Sequence, residues 1–334
     1  MASPTLGDTL INSAAVKDVR DRYPEAHIVY LSSPTSAAAV KLLPSIDEIV
    51  DIEITKPAKT IRTIRKCRLD LMLDFTPWQR LTAIYTTLSG AKHRVGFRSD
   101  KQFRHFGYDA VAEHSRNIHE LDNFRNLLRT AGISPGNEPS LITGKRSEEH
   151  ITKNETIVFH PWASGDRRQL REWPQENWVA LARLLDNGNT TFVVTGGPNE
   201  TTVTEALTEK LRSEGRQANP FRGGSGLDDL CALLKNAKLV VSVNTGIMHL
   251  AAILGAPTIA LNGPTATHRW GPIGANARSV EPESGGGFLH FGFEFDGNPT
   301  DTMQRISVTA VANVADSMVE ANAWAQRAPV SKEH

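Results

Sequence analysis

The stretch LVVSVNTGIMHLAAILGAPTIALNGPT, residues 239–265, decides how the rest of the chain is read. An unbroken apolar run, Leu239 to Val243, stops at Asn244-Thr245-Gly246, and a helical pattern starts at once. That pattern ends at Gly255, a residue suited to the left-handed turn that closes a helix, with Pro257 just beyond. A second apolar run over residues 258–261 follows. Strands apolar on both faces, joined by a helix, belong to a parallel sheet covered on each side.

Working outward, the same alternation predicts strands over residues 156–160 and 190–195, with helices over 176–185, 199–214, 227–236 and 246–254. A last helix over 307–327 carries Val308, Val311, Ala315, Met318 and Val319 at helical spacing. The first half alternates too. Helices are predicted over 9–22, 36–43, 57–68 and 78–90, and strands over 27–31, 48–54, 69–74 and 92–97. Residues 133–155, rich in Pro, Gly and charge, read as a link. The fold class is therefore α/β: two doubly wound, Rossmann-like domains, residues 1–150 and 151–334, facing a central cleft.

Composition narrows the function. The 334 residues carry 37 Lys+Arg and 37 Asp+Glu, and this balance argues against a general nucleic-acid binder, which needs a basic face. Cys67 and Cys231 lie far apart without C-x-x-C spacing, which disfavours a structural zinc site or disulfide framework and fits a reducing cytoplasm. No apolar run is long enough to span a bilayer, and MASPTLGDTL lacks the features of a secretory signal.

Ligands of such sheets bind outside the carboxyl ends of the strands. At Asn244-Thr245-Gly246 a helix begins, and its unpaired N–H groups and dipole suit a phosphate, although a capped turn without ligand has the same appearance. A second strand end, residues 160–166, leads into Arg167, Arg168 and Arg171, either an anion site or solvated surface. A third, Thr195-Gly196-Gly197-Pro198-Asn199-Glu200, offers Glu200 to a ribose hydroxyl or to the first turn of its own helix. Neither G-x-G-x-x-G nor a P-loop is present, so dinucleotide and NTPase readings lose their main support.

These pieces, in order, resemble glycosyltransferase family 9, which holds the ADP-heptose:lipopolysaccharide heptosyltransferases. The resemblance runs from Leu6-Gly7-Asp8 and Tyr23-Pro24 through Arg94-Val95-Gly96-Phe97, His160 and Trp173-Pro174 to Gly196-Gly197. It continues with Asn244-Thr245-Gly246-Ile247-Met248-His249-Leu250-Ala251-Ala252, Gly263-Pro264-Thr265 and Trp270-Gly271-Pro272. It implies a GT-B architecture with acceptor on the N-terminal domain and nucleotide-sugar donor on the C-terminal one. The last helix is expected to pack back on the N-terminal domain. The implied reaction is inverting and metal-independent, without cofactor, moving heptose from an ADP-linked donor to a lipopolysaccharide-core or related anionic glycan.

By the same resemblance Asp8 is the catalytic base, with Gly7 allowing close approach of the acceptor; an N-cap role is the alternative for Asp8. Ser164, Arg171, Glu200, Asn244, Thr245, Gly246 and His249 serve the donor. Arg171 replaces the family's lysine, and Asn244 replaces its usual aspartate. Arg94, Arg98 and Lys101 are candidates for the acceptor. They belong to a basic stretch with Lys92, His93, Arg104 and His105, beside Phe97, Phe103 and Phe106. A second basic group is Arg62, Arg65, Lys66 and Arg68. Either is an anion-binding patch or a solvated face. The implied setting is cytoplasmic, with peripheral contact at the inner membrane. Two other readings stay open: a GT-B sugar-nucleotide epimerase, and a non-catalytic nucleotide- or glycan-binding family member.

Overall fold

The computed structural model describes residues 5–34, 36–144, 155–165, 168–221, 226–287, 289 and 301–327, with side chains described through Met318. The chain divides into two compact units, Met1–Gly144 and Lys145–His334.

In the first unit the order is α1 (Leu6–Ile11), α2 (Ser13–Arg22), β1 (Val29–Ser32), α3 (Ala37–Val40), β2 (Glu48–Asp51), α4 (Pro57–Lys66), β3 (Leu71–Asp74), α5 (Arg80–Thr87), β4 (His93–Arg98), β5 (Ala110–Glu113) and α6 (Glu120–Thr130). The described strands form two parallel sheets, β1-β2 and β3-β4-β5. Leu31 of β1 and Met72 of β3 share one core cluster with Ile52, Ile64, Tyr85 and Ala91.

The helix predicted over 9–22 begins earlier and is broken at Asn12. The Thr5 side chain caps α1 by accepting from the Asp8 amide at 3.3 Å, so Thr5 takes the N-cap and Asp8 sits in the first turn. The predicted link is shorter than residues 133–155. Asp18 Oδ1 accepts from the amides of Gly136 and Asn137, each at 2.9 Å, and Ser13 Oγ accepts from the Ser140 amide, fastening this segment to α2. Residues 145–154 lie outside the described ones.

The second unit contains β6 (Thr156–His160), α7 (Gln175–Leu185), β7 (Thr191–Val194), α8 (Thr201–Ser213), β8 (Gln217–Pro220), α9 (Leu227–Asn236), β9 (Leu239–Val243), α10 (Gly246–Ile253), β10 (Thr258–Leu261), α11 (Thr267–Trp270), β11 (Ala277–Val280) and α12 (Val308–Arg327). Its sheet is wholly parallel in the order β11-β10-β9-β6-β7-β8. β6 and β9 are fully buried, as their unbroken apolar sequences require. Val311, Ala312, Ala315 and Met318 of α12 enter the core of this same unit, with Trp173, Trp178 and Ile306. The side chain of Val319 and those after it lie outside the described residues.

Candidate functional site

Sheet order locates the site before any side chain is considered. From β6 the chain moves outward to β7 and β8, then returns to lay β9 on the other side of β6. Loops leaving adjacent strands in opposite senses open a crevice at their carboxyl ends. The strands stay paired to His160↔Ser242, so the segments after His160 and after Val243 start side by side. Among the predicted donor residues, Ser164 and Arg171 lie on the first segment, and Asn244, Thr245, Gly246 and His249 on the second.

On the β9 side, Thr245 is the N-cap of α10 in extended conformation, but its side chain caps nothing. Its Oγ1 is buried and has no hydrogen-bond partner among the described residues. A buried hydroxyl left unpaired costs about 1–3 kcal/mol, and here it lies beside the free amides and positive pole of α10. Asn244 is buried, and its Nδ2 donates to the Trp270 carbonyl at 2.8 Å. The amide at this position therefore ties the start of α10 to the end of α11, which a carboxylate could not do. His249, buried one turn into α10, donates its backbone N–H to the Thr245 carbonyl at 3.3 Å.

On the β6 side, Arg171 curls back so that Nη2 donates to the Ser164 carbonyl, while Nε is buried without a partner among the described residues. Burial pushes its guanidinium below its ordinary value, and Glu172 opposes that shift. A half-buried arginine with an unused N–H is suited to an incoming anion. Arg168 approaches Glu172 at 4.0 Å, and Arg167 lies outside the described residues. His160 closes β6. Thr195 Oγ1 donates to the Phe159 carbonyl at 3.2 Å and so accepts from His160 Nδ1 at 2.9 Å. Burial lowers the imidazole to about 4, leaving it neutral near pH 7.

After β7, Glu200 ends a short 3₁₀ turn, Pro198–Glu200, and folds over Gly197. A Cβ at Gly197 would stand 2.6 Å from Glu200 Oε2, and one at Gly196 3.0 Å from Trp162 Cδ1. At Gly196 a Cβ would also meet Thr204 Oγ1, so the glycine pair leaves room for the carboxylate, the threonine hydroxyl and the indole around this turn. Asn262, at the end of β10, was not among the predicted residues; it is buried, with Oδ1 unpartnered among the described residues. Its only sequence signal is a polar residue directly after the apolar run Thr258–Leu261.

In the first unit Asp8 is half-buried in α1 beside Gly7, and its charge helps burial raise the Tyr30 hydroxyl above its ordinary value. The basic stretch does not form one patch. Lys92 pairs with Asp70 at 2.7 Å, and Arg94 grips Asp109 through Nε at 2.9 Å and Nη2 at 2.7 Å. Arg94 also lies toward the amino end of β4, away from the strand ends that hold ligands. Arg98 ends β4 and pairs with Glu113 at 2.6 Å, and Lys101 follows, exposed, with φ 57°. Phe97 is core.

Arg104, expected at the surface, is buried against Asp74 at 2.6 Å. Tyr108 Oη donates to the same carboxylate oxygen at 2.7 Å, while Asp74 Oδ1 accepts from the Thr76 amide at 3.1 Å. The sequence signal was Asp74 itself, a charge ending the apolar run LMLD. Both cysteine thiols are free; burial raises Cys67 and pushes Cys231 up to about 11, so packing explains them. Among the described residues no group of three or more His, Cys, Asp or Glu could hold a metal ion, and no helix is long and apolar enough to cross a membrane.

The profile described as glycosyltransferase family 9 (heptosyltransferase) matches residues 58–285. Lipopolysaccharide heptosyltransferase 1 of Salmonella typhimurium is 25% identical over 292 residues, covering 81% of this chain and 90% of that protein. The solved structure of E. coli ADP-heptose lps heptosyltransferase II superposes with TM-score 0.78 at 20% identity, covering 96% of this chain and 98% of that one. E. coli heptosyltransferase WaaC with ADP superposes with TM-score 0.70 at 19% identity, over 94% and 97% of the chains. The fold is GT-B, the chain is a glycosyltransferase, and the epimerase reading is not favoured. From the order of its motifs, the arrangement of its strands and the profile that spans both units, the chain belongs to glycosyltransferase family 9, the heptosyltransferases.

Proposed function

We propose that the protein moves heptose from ADP-heptose to a lipopolysaccharide-core or related anionic glycan, with inversion at the anomeric carbon and without a metal ion. The donor's diphosphate lies at the β6–β9 crevice, against the amino end of α10, the Thr245 hydroxyl and the Arg171 guanidinium. One observation carries this reading: two buried polar groups, Thr245 Oγ1 and Arg171 Nε, follow adjacent strands and lack partners among the described residues. Ligand names on relatives agree, one being E. coli heptosyltransferase WaaC with ADP.

In this reaction Asp8 takes the proton of the acceptor hydroxyl as its oxygen attacks the anomeric carbon. The bond from that carbon to the diphosphate breaks, and its electron pair leaves with ADP. Arg171 and the α10 amides offset the charge gathering on the leaving oxygen. Ser164 and Gly246 shape the phosphate loops, Glu200 meets the nucleoside, and His249 supports the phosphate end from within α10. Asn244 holds α10 in register through Trp270, which is why an amide serves where the family pattern has a carboxylate. Gly7, Arg98 and Lys101 serve the acceptor; Arg94 is engaged by Asp109 and is left out of this role. The acceptor is met at the cytoplasmic face of the inner membrane.

The test is calorimetric titration with ADP and ADP-heptose, joined to mass spectrometry of a heptose-free core acceptor. Wild-type protein binds ADP, and Thr245→Val and Arg171→Ala weaken that binding. Failure of ADP to bind, or equal binding by both variants, overturns the donor site. Donor binding without any added heptose on the acceptor favours the non-catalytic reading.

A further inference from the structure

The first unit carries an apolar face that its own core does not use. On α5 and its C-cap, Leu81, Ile84 and Leu88 are 42%, 49% and 40% exposed, and their spacing places them on one stripe. Beside them Phe103 and Phe106 stand 71% and 79% exposed. Single exposed apolar side chains are ordinary, but a contiguous group of them marks a surface that meets something apolar.

The loop bearing the phenylalanines is anchored along the same helix. Arg80, at the start of α5, donates to the carbonyls of Gln102 at 3.0 Å and Lys101 at 3.3 Å. At the other end Gly107 packs against Thr87 so closely that no side chain would fit. Arg80 and Thr87 flank Ile84 on one side of α5, so the loop and the aliphatic stripe are neighbours. Between the two phenylalanines, Arg104 turns inward to Asp74, both side chains fully shielded. The backbone is held in the left-handed region at Lys101, φ 57°, and at Phe103, φ 52°. Such conformations in non-glycine residues persist only where the surroundings impose them. The phenylalanines are thus displayed by a fixed frame.

Charge flanks this apolar ridge. Arg65 of α4 donates through Nε to the Leu88 carbonyl at 2.8 Å, which sets α4 beside the end of the stripe. There Arg62, Arg65, Lys66 and Arg68, with Ala58 and Ile61, line an open depression of about 490 Å³. None of these four cations is in an ion pair among the described residues, whereas Lys92, Arg94 and Arg98 each have one. Lys101 adds a positive charge on the far side, next to Phe103.

We infer that this face, formed by α5, the loop 101–107 and α4, docks on an anionic bilayer. Phe103 and Phe106 enter the headgroup–acyl boundary, the α5 stripe lies along it, and the α4 cations meet anionic headgroups. Buried apolar area and attraction to anionic lipid are the two contributions that hold a protein at such a surface, and both are displayed here together. The proposal gives a surface to the membrane setting proposed above. Vesicle partition is read without donor or acceptor, so its failure leaves the transfer reaction standing and the converse also holds.

The experiment is co-sedimentation of the full chain with phosphatidylethanolamine–phosphatidylglycerol vesicles and with phosphatidylcholine vesicles, at low and high salt. Wild type binds the anionic vesicles, and salt releases it. Phe103→Ser with Phe106→Ser lowers the partition about tenfold while melting temperature and turnover on a water-soluble acceptor fragment stay at wild-type values. Arg62→Ser with Lys66→Ser lowers anionic binding by roughly fivefold for each charge removed and leaves phosphatidylcholine binding unaltered. Equal wild-type binding to both lipids, or wild-type partition in the double serine variant, overturns the proposal. So does a dimer in sedimentation velocity that the serine variant abolishes, because a second copy then covers the face.

Discussion

Arg104 and Asp74 meet at 2.6 Å with neither side chain reaching solvent. The carboxylate also accepts from Tyr108, and Arg104 Nη2 donates to Tyr108 Oη at 2.5 Å, so the end of β3 and two residues of the loop between β4 and β5 close on one point. Removing one ion of such a pair leaves the other charged and dry. Arg104→Met or Asp74→Leu is expected to lower stability by about 3–5 kcal/mol, and the two together by clearly less than their sum. Urea unfolding of the four proteins measures this; additive losses would show that the two do not act as a pair.

Asp8→Asn is expected to keep the fold and ADP affinity while turnover falls by about 10²–10⁴-fold, the usual contribution of a positioned base. Thr5 makes the N-cap bond of α1, so the helix does not depend on the Asp8 carboxylate as a cap. Single-turnover assays with saturating donor separate the two effects, and wild-type turnover would remove Asp8 from the base role.

Thr245→Val should move stability and donor affinity in opposite directions. The unpartnered hydroxyl disappears, so the free protein gains up to about 1 kcal/mol, while ADP binding weakens about tenfold. Thermal melts with and without ADP read both signs in one experiment.

Asn244→Asp replaces a donated bond to the Trp270 carbonyl by two oxygens facing each other. A loss of about 1–3 kcal/mol in stability is expected, together with weaker ADP binding from the added negative charge. Tighter ADP binding in this variant would show that the asparagine is a donor-selecting residue.

His160 gives the protein an acid-sensitive window. Its folded value is about 4, below the ordinary 6.5, so the unfolded chain binds the extra proton between these limits. Stability from this group is complete above pH 6.5 and falls as pH drops toward 4, by roughly 3 kcal/mol in all. His160→Gln should flatten that part of the stability–pH curve relative to wild type. Equal slopes in urea titrations of both proteins would place the sensitivity elsewhere.

What sequence reading recovered follows from physical contrast. β9 and β10 were found at their observed bounds, because buried parallel strands are unbroken apolar runs between sharp turn residues. The edge strands β8 and β11 escaped, since QANP and ARSV have little apolar content and are half open to solvent. β5 and α6 escaped although Leu121, Phe124, Leu127 and Leu128 carry helical spacing; the basic residues before them drew attention to charge. The candidate donor segments were legible as strand ends. Which of their polar groups lack partners was not, because that depends on packing between residues far apart in sequence. Arg104 shows the same limit in reverse, a cation in a basic run that only its distant partner Asp74 explains.

The strand order of the second unit has a consequence for how its ligand site comes into being. Residues 155–221 contribute β6, β7 and β8 as one consecutive block, and residues from 226 onward contribute β9, β10 and β11 as another. Within the sheet the blocks join along the seam β6–β9, and Arg171 and Thr245 lie on opposite sides of it. The crevice proposed for the diphosphate is therefore the property of a joint, and neither block possesses it alone. A nucleotide bound there acts as a rivet between two half-sheets, so its affinity doubles as a gauge of how firmly they are closed.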